Sequence, residues 1–324
     1  MEFIDAGANL LDSMYMGNYH SKARHEPDLD LVLGRAFEHG VGKIITLSGS
    51  VDESVKTLEL IEESNGAREG SLIFGTVGIH PTRTAQTFAT RQGDEWKILP
   101  DAEQREIIRQ LAALADEGKR SGKVVAIGEV GLDYARLQFS PKELQHVGLK
   151  AQLTVAAETN LPLYLHNRDS GEDLFRILDA YKDRLSNEDG FIRGIVHSFD
   201  EGIDVARKFM SLGLYIGVNG CSLKTEDNLK VVEQIPLEKL ILETDCPWCD
   251  VRPSHAGFKF IQTQPLPTKK NKHYSRDLGG FCVKNRTEPC HVRQIAEIVC
   301  GIKGVSLEEV VVQNALNVHD LFGI

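Results

Sequence analysis

The chain has 324 residues, enough to bury a full core without disulfide staples, and one large α/β barrel accounts for that length as readily as two smaller domains do. Apolar residues make up 41% and charged residues 26%, while 37 Lys and Arg against 47 Asp and Glu leave a net charge of -10. This balance argues against a basic surface that wraps nucleic acid, so contact with a polyanion would need a local basic patch or a metal ion.

In chain order, short β-branched or apolar runs recur: FID (3–5), KIITLS (43–48), LIFGTVGIH (72–80), VVAIGE (124–129), LPLYLH (161–166), GIVHSF (194–199), LYIGVNG (214–220) and KLILETD (239–245). Most are continuous apolar stretches, the pattern of parallel strands covered on both faces. Helical segments are expected between them at 28–39, 52–64, 101–119, 142–159, 169–184, 201–212 and 226–234, with two more at 290–302 and 306–321. Ser140-Pro141-Lys142-Glu143 reads as a helix start with Ser140 as N-cap, and Ser306-Leu307-Glu308-Glu309 as a capping box. Eight strands alternating with helices predict a TIM-type (β/α)₈ barrel over residues 1–324 as one domain. The competing open doubly wound sheet lacks a G-x-G-x-x-G turn after its first strand. Residues 247–289 carry no periodic segment, and a loop this long inside a compact domain is usually functional.

Active sites of βα barrels form at the C-terminal ends of the strands. There the predicted strands place His80 (GIHP), Glu129 (GEVGLD), His166 (LYLHNRDS), His197 (IVHSFD) and Asp245 (LETDCPW). Imidazoles and carboxylates together suit a divalent ion, which would lower the pKa of bound water and polarise a phosphoryl or carbonyl oxygen. Taken singly, each of these residues reads as a hydrogen-bonded structural group. Their shared position at one end of consecutive strands is what points to a site.

The ordered motifs GIHP, GEVGLDY, LHNRDS, VHSFD, YIGVNGCSLK and LETDCPWC, running from IDAGANL to PTKKNK and RTEPCH, resemble those of the TatD-type deoxyribonucleases, above all their eukaryotic branch, within the metallo-dependent hydrolase superfamily. The resemblance spans nearly the whole chain. It implies hydrolysis of DNA phosphodiester bonds by a divalent-metal-dependent 3′→5′ exonuclease, with one or two ions, Mg²⁺ first and Mn²⁺ or Zn²⁺ as alternatives. It places the metal ligands at Glu129, His166, His197 and Asp245, with Glu129 and Asp245 catalytic. Many superfamily members carry His-x-His on the first strand, where this chain reads Gly7-Ala8-Asn9. The alternative activity is that of a small-molecule amidohydrolase or phosphoesterase on the same barrel.

Candidate substrate contacts are His80 and Asn9, with Arg136 and Arg168 on neighbouring loops; Asp133 is a candidate to orient a ligand histidine. Residues 268–288 hold Lys269, Lys270, Lys272, Arg276, Lys284 and Arg286 against Asp277 and Glu288, a local excess of positive charge read as a footprint for the DNA backbone, with Lys269 and Lys270 as its leading members. Phe258, Phe260, Tyr274 and Phe281 interleave there, and one could stack on a base of a single strand or frayed end, though core packing is the commoner fate. Six cysteines without a framework read as structural thiols of an intracellular protein, including Cys246, Cys249, Cys282 and Cys290. No basic region precedes an apolar stretch in MEFIDAGANLL and no apolar run reaches a membrane span, so no secretory signal, no membrane contact and a cytosolic or nuclear location are expected.

Overall fold

The computed structural model describes residues 1–66, 72–278 and 280–324. Eight parallel strands pair in chain order into one sheet: β1 (Phe3–Ala8), β2 (Val41–Thr46), β3 (Leu72–Val77), β4 (Val124–Asp133), β5 (Leu163–Arg168), β6 (Gly194–Val196), β7 (Tyr215–Val218) and β8 (Leu240–Leu242). The last strand returns to the first. Asp245 N–H donates to the Gly7 carbonyl at 2.8 Å and Asn9 N–H to the Cys246 carbonyl at 2.7 Å. Helices α1 (Leu29–Glu38), α2 (Val51–Gly66), α3 (Asp101–Arg120), α4 (Lys142–Thr159), α5 (Gly171–Ala180), α6 (Ile203–Ser211), α7 (Glu226–Gln234), α8 (Val292–Lys303) and α9 (Leu307–Phe322) complete the expected TIM-type barrel.

Strand alternation divides the core into two layers. Leu163 and Leu165 of β5 join the large layer between strands and helices, where burial of each contributes about 2 kcal/mol. Tyr164, between them, joins Ile4, Ala6, Ile45, Ile195 and Ile241 in a second cluster. Phe322 at the end of α9 stacks on Tyr164 with ring centroids 6.4 Å apart and packs against that cluster. Continuing the same alternation, His166 follows Tyr164, His197 follows Ile195, and Glu243 then Asp245 follow Ile241. One face is therefore apolar for most of its length and turns polar at the carboxyl ends of the strands.

The Ser306 capping box forms: Ser306 Oγ accepts from Glu309 N–H, and the Glu309 carboxylate accepts from Ser306 N–H at 2.8 Å. Ser140 does not cap α4. Pro141 takes that position, and Ser140 Oγ instead accepts from Ala85 N–H at 3.1 Å and pairs with Thr84 Oγ1, tying the loop after β3 to the loop after β4. The segment expected as one helix over 169–184 is α5 followed by a separate turn, Lys182–Leu185, interrupted at Tyr181.

Among its described residues, the segment 247–289 contains no α-helix. It holds 3₁₀ turns at Ala256–Phe260, Asn271–His273 and Arg276–Leu278, and Thr268–Lys269 pairs with Cys282–Val283. A buried ion network pins its end. Arg286, 2% exposed, donates to both carboxylate oxygens of Asp28 at 2.7 and 2.6 Å and to Glu288 at 3.1 Å; Arg35 donates twice to Glu288 at 2.8 and 2.9 Å. Arg286 therefore does not belong to a basic surface, and Arg276 is paired with Asp30 at 2.7 Å. Lys269, Lys270, Lys272 and Lys284 remain exposed. Tyr274 is buried against Tyr19 and Val283, so it is a packing residue.

Candidate metal centre and active site

Glu129 was expected at the end of its strand, but β4 runs four residues further, to Asp133. The register against β5 shifts between Ile127, opposite Leu163, and Val130, opposite Leu165, so β4 carries one extra residue there. A bulge of this kind re-aims side chains, and Glu129 lies in it, with its N–H donating to the Ser48 carbonyl at 2.8 Å. One carboxylate oxygen, Glu129 Oε1, faces three imidazole nitrogens: His166 Nδ1 at 2.6 Å, His197 Nε2 at 2.8 Å and His80 Nε2 at 3.4 Å. Each of the two nearer rings has a further carboxylate behind it. Asp133 Oδ2 lies 3.3 Å from His166 Nε2, and Glu243 Oε1 lies 3.6 Å from His197 Nδ1.

Burial opposes charge throughout this cluster, and the partners decide the outcome. Glu129 is disfavoured as an anion by burial, yet the adjacent imidazoles hold its carboxyl well below the usual range. His197 is likewise opposed by burial, but Glu129 and Glu243 hold its imidazolium well above the ordinary value. His166 is raised by Asp133 and Glu129 against the same opposition. His80 goes the other way, because burial outweighs Glu129; its Nδ1 accepts from Thr82 N–H at 3.2 Å. Asp245 is pushed up to about 6, by burial first and by Glu129 and Glu243, with His197 pulling against them.

Asn9 donates from Nδ2 to Asp245 Oδ1 at 2.9 Å and to the Cys246 carbonyl at 3.2 Å. Cys249 Sγ–H donates to Asp245 Oδ2 at 3.2 Å. The first-strand position where other barrels carry a histidine is filled from across the barrel. A Cβ on Gly7 would lie 2.2 Å from Tyr164 Oη and 2.6 Å from Glu243 Oε2, atoms that are hydrogen-bonded to each other at 2.5 Å.

His80, Glu129, His166, His197, Asp245 and Asn9 all line one cavity of about 480 Å³ at the carboxyl ends of the strands. Arg168 and Arg136 line it as well, Arg136 Nε standing 3.8 Å from Asp133. Lys269 and Lys270 do not line it; Lys269 Nζ stands 5.1 Å from the centre of the Phe281 ring. Among the lining residues not singled out from the sequence are Arg83, Lys224, Trp248 and Cys221, and Glu243 beneath His197 was not singled out either. Glu243 alone had a sequence signal, as the second carboxylate of LETD two positions before Asp245 on the same strand face.

The donor chemistry fits a divalent ion. His80, Glu129 and His166 each offer a ligand atom within 4.8 Å of the others. A carboxylate stands behind each of His166 and His197, an arrangement common around imidazoles that bind metals. A parallel eight-stranded barrel with such a group at its carboxyl end is the layout of the metal-dependent hydrolases. The sequence profile described as TatD related DNase matches residues 4–323, and the chain belongs to that family. It is 41% identical over 321 residues to the deoxyribonuclease Tat-D of Schizosaccharomyces pombe, covering 98% of this chain and 95% of that protein. It is 29% identical to the 3′-5′ ssDNA/RNA exonuclease TatD of Shigella flexneri, over 99% of this chain and 98% of that one. The crystal structure of a TatD family hydrolase from Entamoeba histolytica superposes with a TM-score of 0.84 at 35% identity, covering 99% of this chain and 98% of that one.

Proposed function

We propose that this chain is a divalent-metal-dependent deoxyribonuclease that removes nucleotides from the 3′ end of single-stranded or frayed DNA, with residues 1–324 acting as one catalytic unit. The observation that carries the reading is the convergence of His80, His166 and His197 on one oxygen of Glu129 inside a cavity also lined by Arg83, Arg136, Arg168 and Lys224. The names of the relatives from fission yeast and Shigella support the substrate class and the polarity.

In this reading Glu129, His166, His197 and Asp245 would hold the ion, and the position of His80 makes it a fifth candidate ligand in place of the phosphate contact expected from sequence. A bound divalent ion supplies Lewis acidity and a water of lowered pKa. The three imidazoles of this set favour Zn²⁺ over the Mg²⁺ expected first, and its two carboxylates also suit Mn²⁺. Burial raises Asp245 only while the site is empty; a bound cation would lower it again, and as a carboxylate Asp245 would accept the proton given up by water. Asn9 and Cys249 fix its orientation. Arg136, Arg168 and Lys224 would bind phosphate oxygens, and Trp248, 49% exposed on the cavity wall, would stack on a base. The six free thiols support a reducing compartment, the cytosol or the nucleus, and no helix among the described residues is long and apolar enough to cross a membrane.

Single-stranded DNA labelled at either end tests the polarity. With Mn²⁺, a 3′ label should leave at once as mononucleotide while a 5′ label persists in a ladder of shortening strands. Glu129→Ala should lower turnover by more than about 100-fold, exceeding the usual loss from removing even an outer partner of a metal ligand, with the circular dichroism spectrum unchanged. Release of the 5′ label first contradicts the polarity. Wild-type turnover in Glu129→Ala contradicts the site.

A further inference from the structure

Two cysteines outside the proposed ligand set meet on the wall of the cavity. Cys221 lies in the 3₁₀ turn Gly220–Leu223 after β7, and its N–H donates to Asn219 Oδ1 at 2.8 Å. Cys249 lies four residues beyond Asp245. Their Sγ atoms are 2.7 Å apart. That is too close for two thiolates sharing a zinc ion, whose tetrahedral bonds of about 2.3 Å would set the sulfurs about 3.7 Å apart. The backbones touch too: a Cβ on Gly220 would fall 1.8 Å from the Cys249 carbonyl oxygen, so no intervening layer has to move for the sulfurs to join. Both side chains line the cavity and are half-buried, open to a small oxidant, whereas Cys246, Cys282 and Cys290 are buried.

We propose that Cys221 and Cys249 are a modification site: a reversible disulfide that ties the segment after β7 to the segment after β8 and lowers turnover at the metal centre. The effect on turnover rests on the nuclease reading; the bond itself does not. With hydrogen peroxide as oxidant, the Cys221 thiolate attacks one peroxide oxygen, forming a sulfenic acid and releasing the other oxygen as water. Cys249 sulfur then attacks Cys221 sulfur, the S–S bond forms, and the sulfenic oxygen leaves as a second water. Two thiols and one peroxide thus become one disulfide and two waters, with two electrons passing from sulfur to oxygen. A small dithiol reverses the bond by exchange and is itself oxidised. Cys221 is equipped to attack first. The adjacent Cys249 and then Lys224, whose Nζ donates to Cys221 Sγ at 3.2 Å, lower its thiol to about 7.

The consequence at the centre follows from one hydrogen bond. Cys249 donates its S–H to Asp245, and a disulfide has no S–H to donate. Loss of such an outer partner costs about ten-fold in activity.

The test treats the full-length protein with hydrogen peroxide, blocks free thiols, and digests it without reductant for mass spectrometry. Expected are a peptide linked through Cys221 and Cys249 that dithiothreitol removes, and DNA cleavage about ten-fold slower that dithiothreitol restores. Cys221→Ser should form no link and keep its activity through the same treatment. Alkylation of both thiols after peroxide, a link between other cysteines, a linked protein with unchanged turnover, or equal losses in Cys221→Ser would overturn the proposal. The linked peptide is read without substrate, so a failure of the nuclease reading and a failure of the disulfide are separate results.

Discussion

Glu129 stands among three imidazoles, and the protonation of that cluster sets how an ion enters it. In the metal-free site the carboxylate partners raise His166 and His197 above the ordinary imidazole value against the opposition of burial, so an ion competes with protons for these nitrogens. The sign follows directly: as pH falls, more protons occupy the ligand nitrogens and affinity for the ion drops; as pH rises, affinity increases. Titration calorimetry with Mn²⁺ between about pH 6 and about pH 8 should therefore show tighter binding at the higher pH, with net proton release read from buffers of different ionisation enthalpy. Affinity independent of pH, with no protons released, contradicts the ligand assignment. Residue by residue, much of this centre was legible. Glu129, His166, His197 and Asp245 line one cavity, as their strand-end positions implied. The approach of His80 to Glu129 was not legible, because it depends on the length and path of the GIHP turn after β3. The meeting of Cys221 with Cys249 depends on two loops folding toward each other, and no spacing within either segment encodes it.

At the scale of elements, the strands were read to within a few residues because apolar runs of this length have few other fates in an alternating βα pattern. The extension of β4 to Asp133 was missed because the predicted apolar run stops at Glu129, whereas here Gly128 and Gly131 flank a bulge and the strand continues. The antiparallel hairpin Ala89–Gln92 with Glu95–Ile98 was missed for a different reason: it is almost wholly exposed and carries little apolar alternation. The basic segment after β8 shows how charge composition misleads. Arg286 counted as surface charge in the sequence, but it is a buried tether between Asp28 and Glu288. Removing one member of a buried, paired network leaves the others uncompensated and costs about 3–5 kcal/mol. Arg286→Ala should lose stability of that order in urea unfolding followed by circular dichroism. A loss below about 1 kcal/mol would mean the network contributes no more than a surface pair.

For the whole molecule, the net charge of -10 means that attraction to DNA has to be local. The cavity supplies Arg83, Arg136, Arg168 and Lys224, but Arg83 is already paired with Glu53 at 2.6 Å. Lys269 and Lys270 stand outside the cavity and exposed. If both contact phosphates, changing them to Ala should flatten the dependence of log affinity on log salt for single-stranded DNA by roughly 1.4. An unchanged slope in fluorescence anisotropy returns them to ordinary solvated charges. The six-residue centre and the cations around it come from strand ends and loops distributed along the chain from Asn9 to Asp245. Activity should therefore depend on the barrel being closed and the ion being present together. The central measurement is nucleotide release from single-stranded DNA by protein stripped with EDTA and then titrated with Mn²⁺. The account predicts no release from the stripped protein and saturable recovery as the ion is added; sustained release in excess EDTA would contradict it.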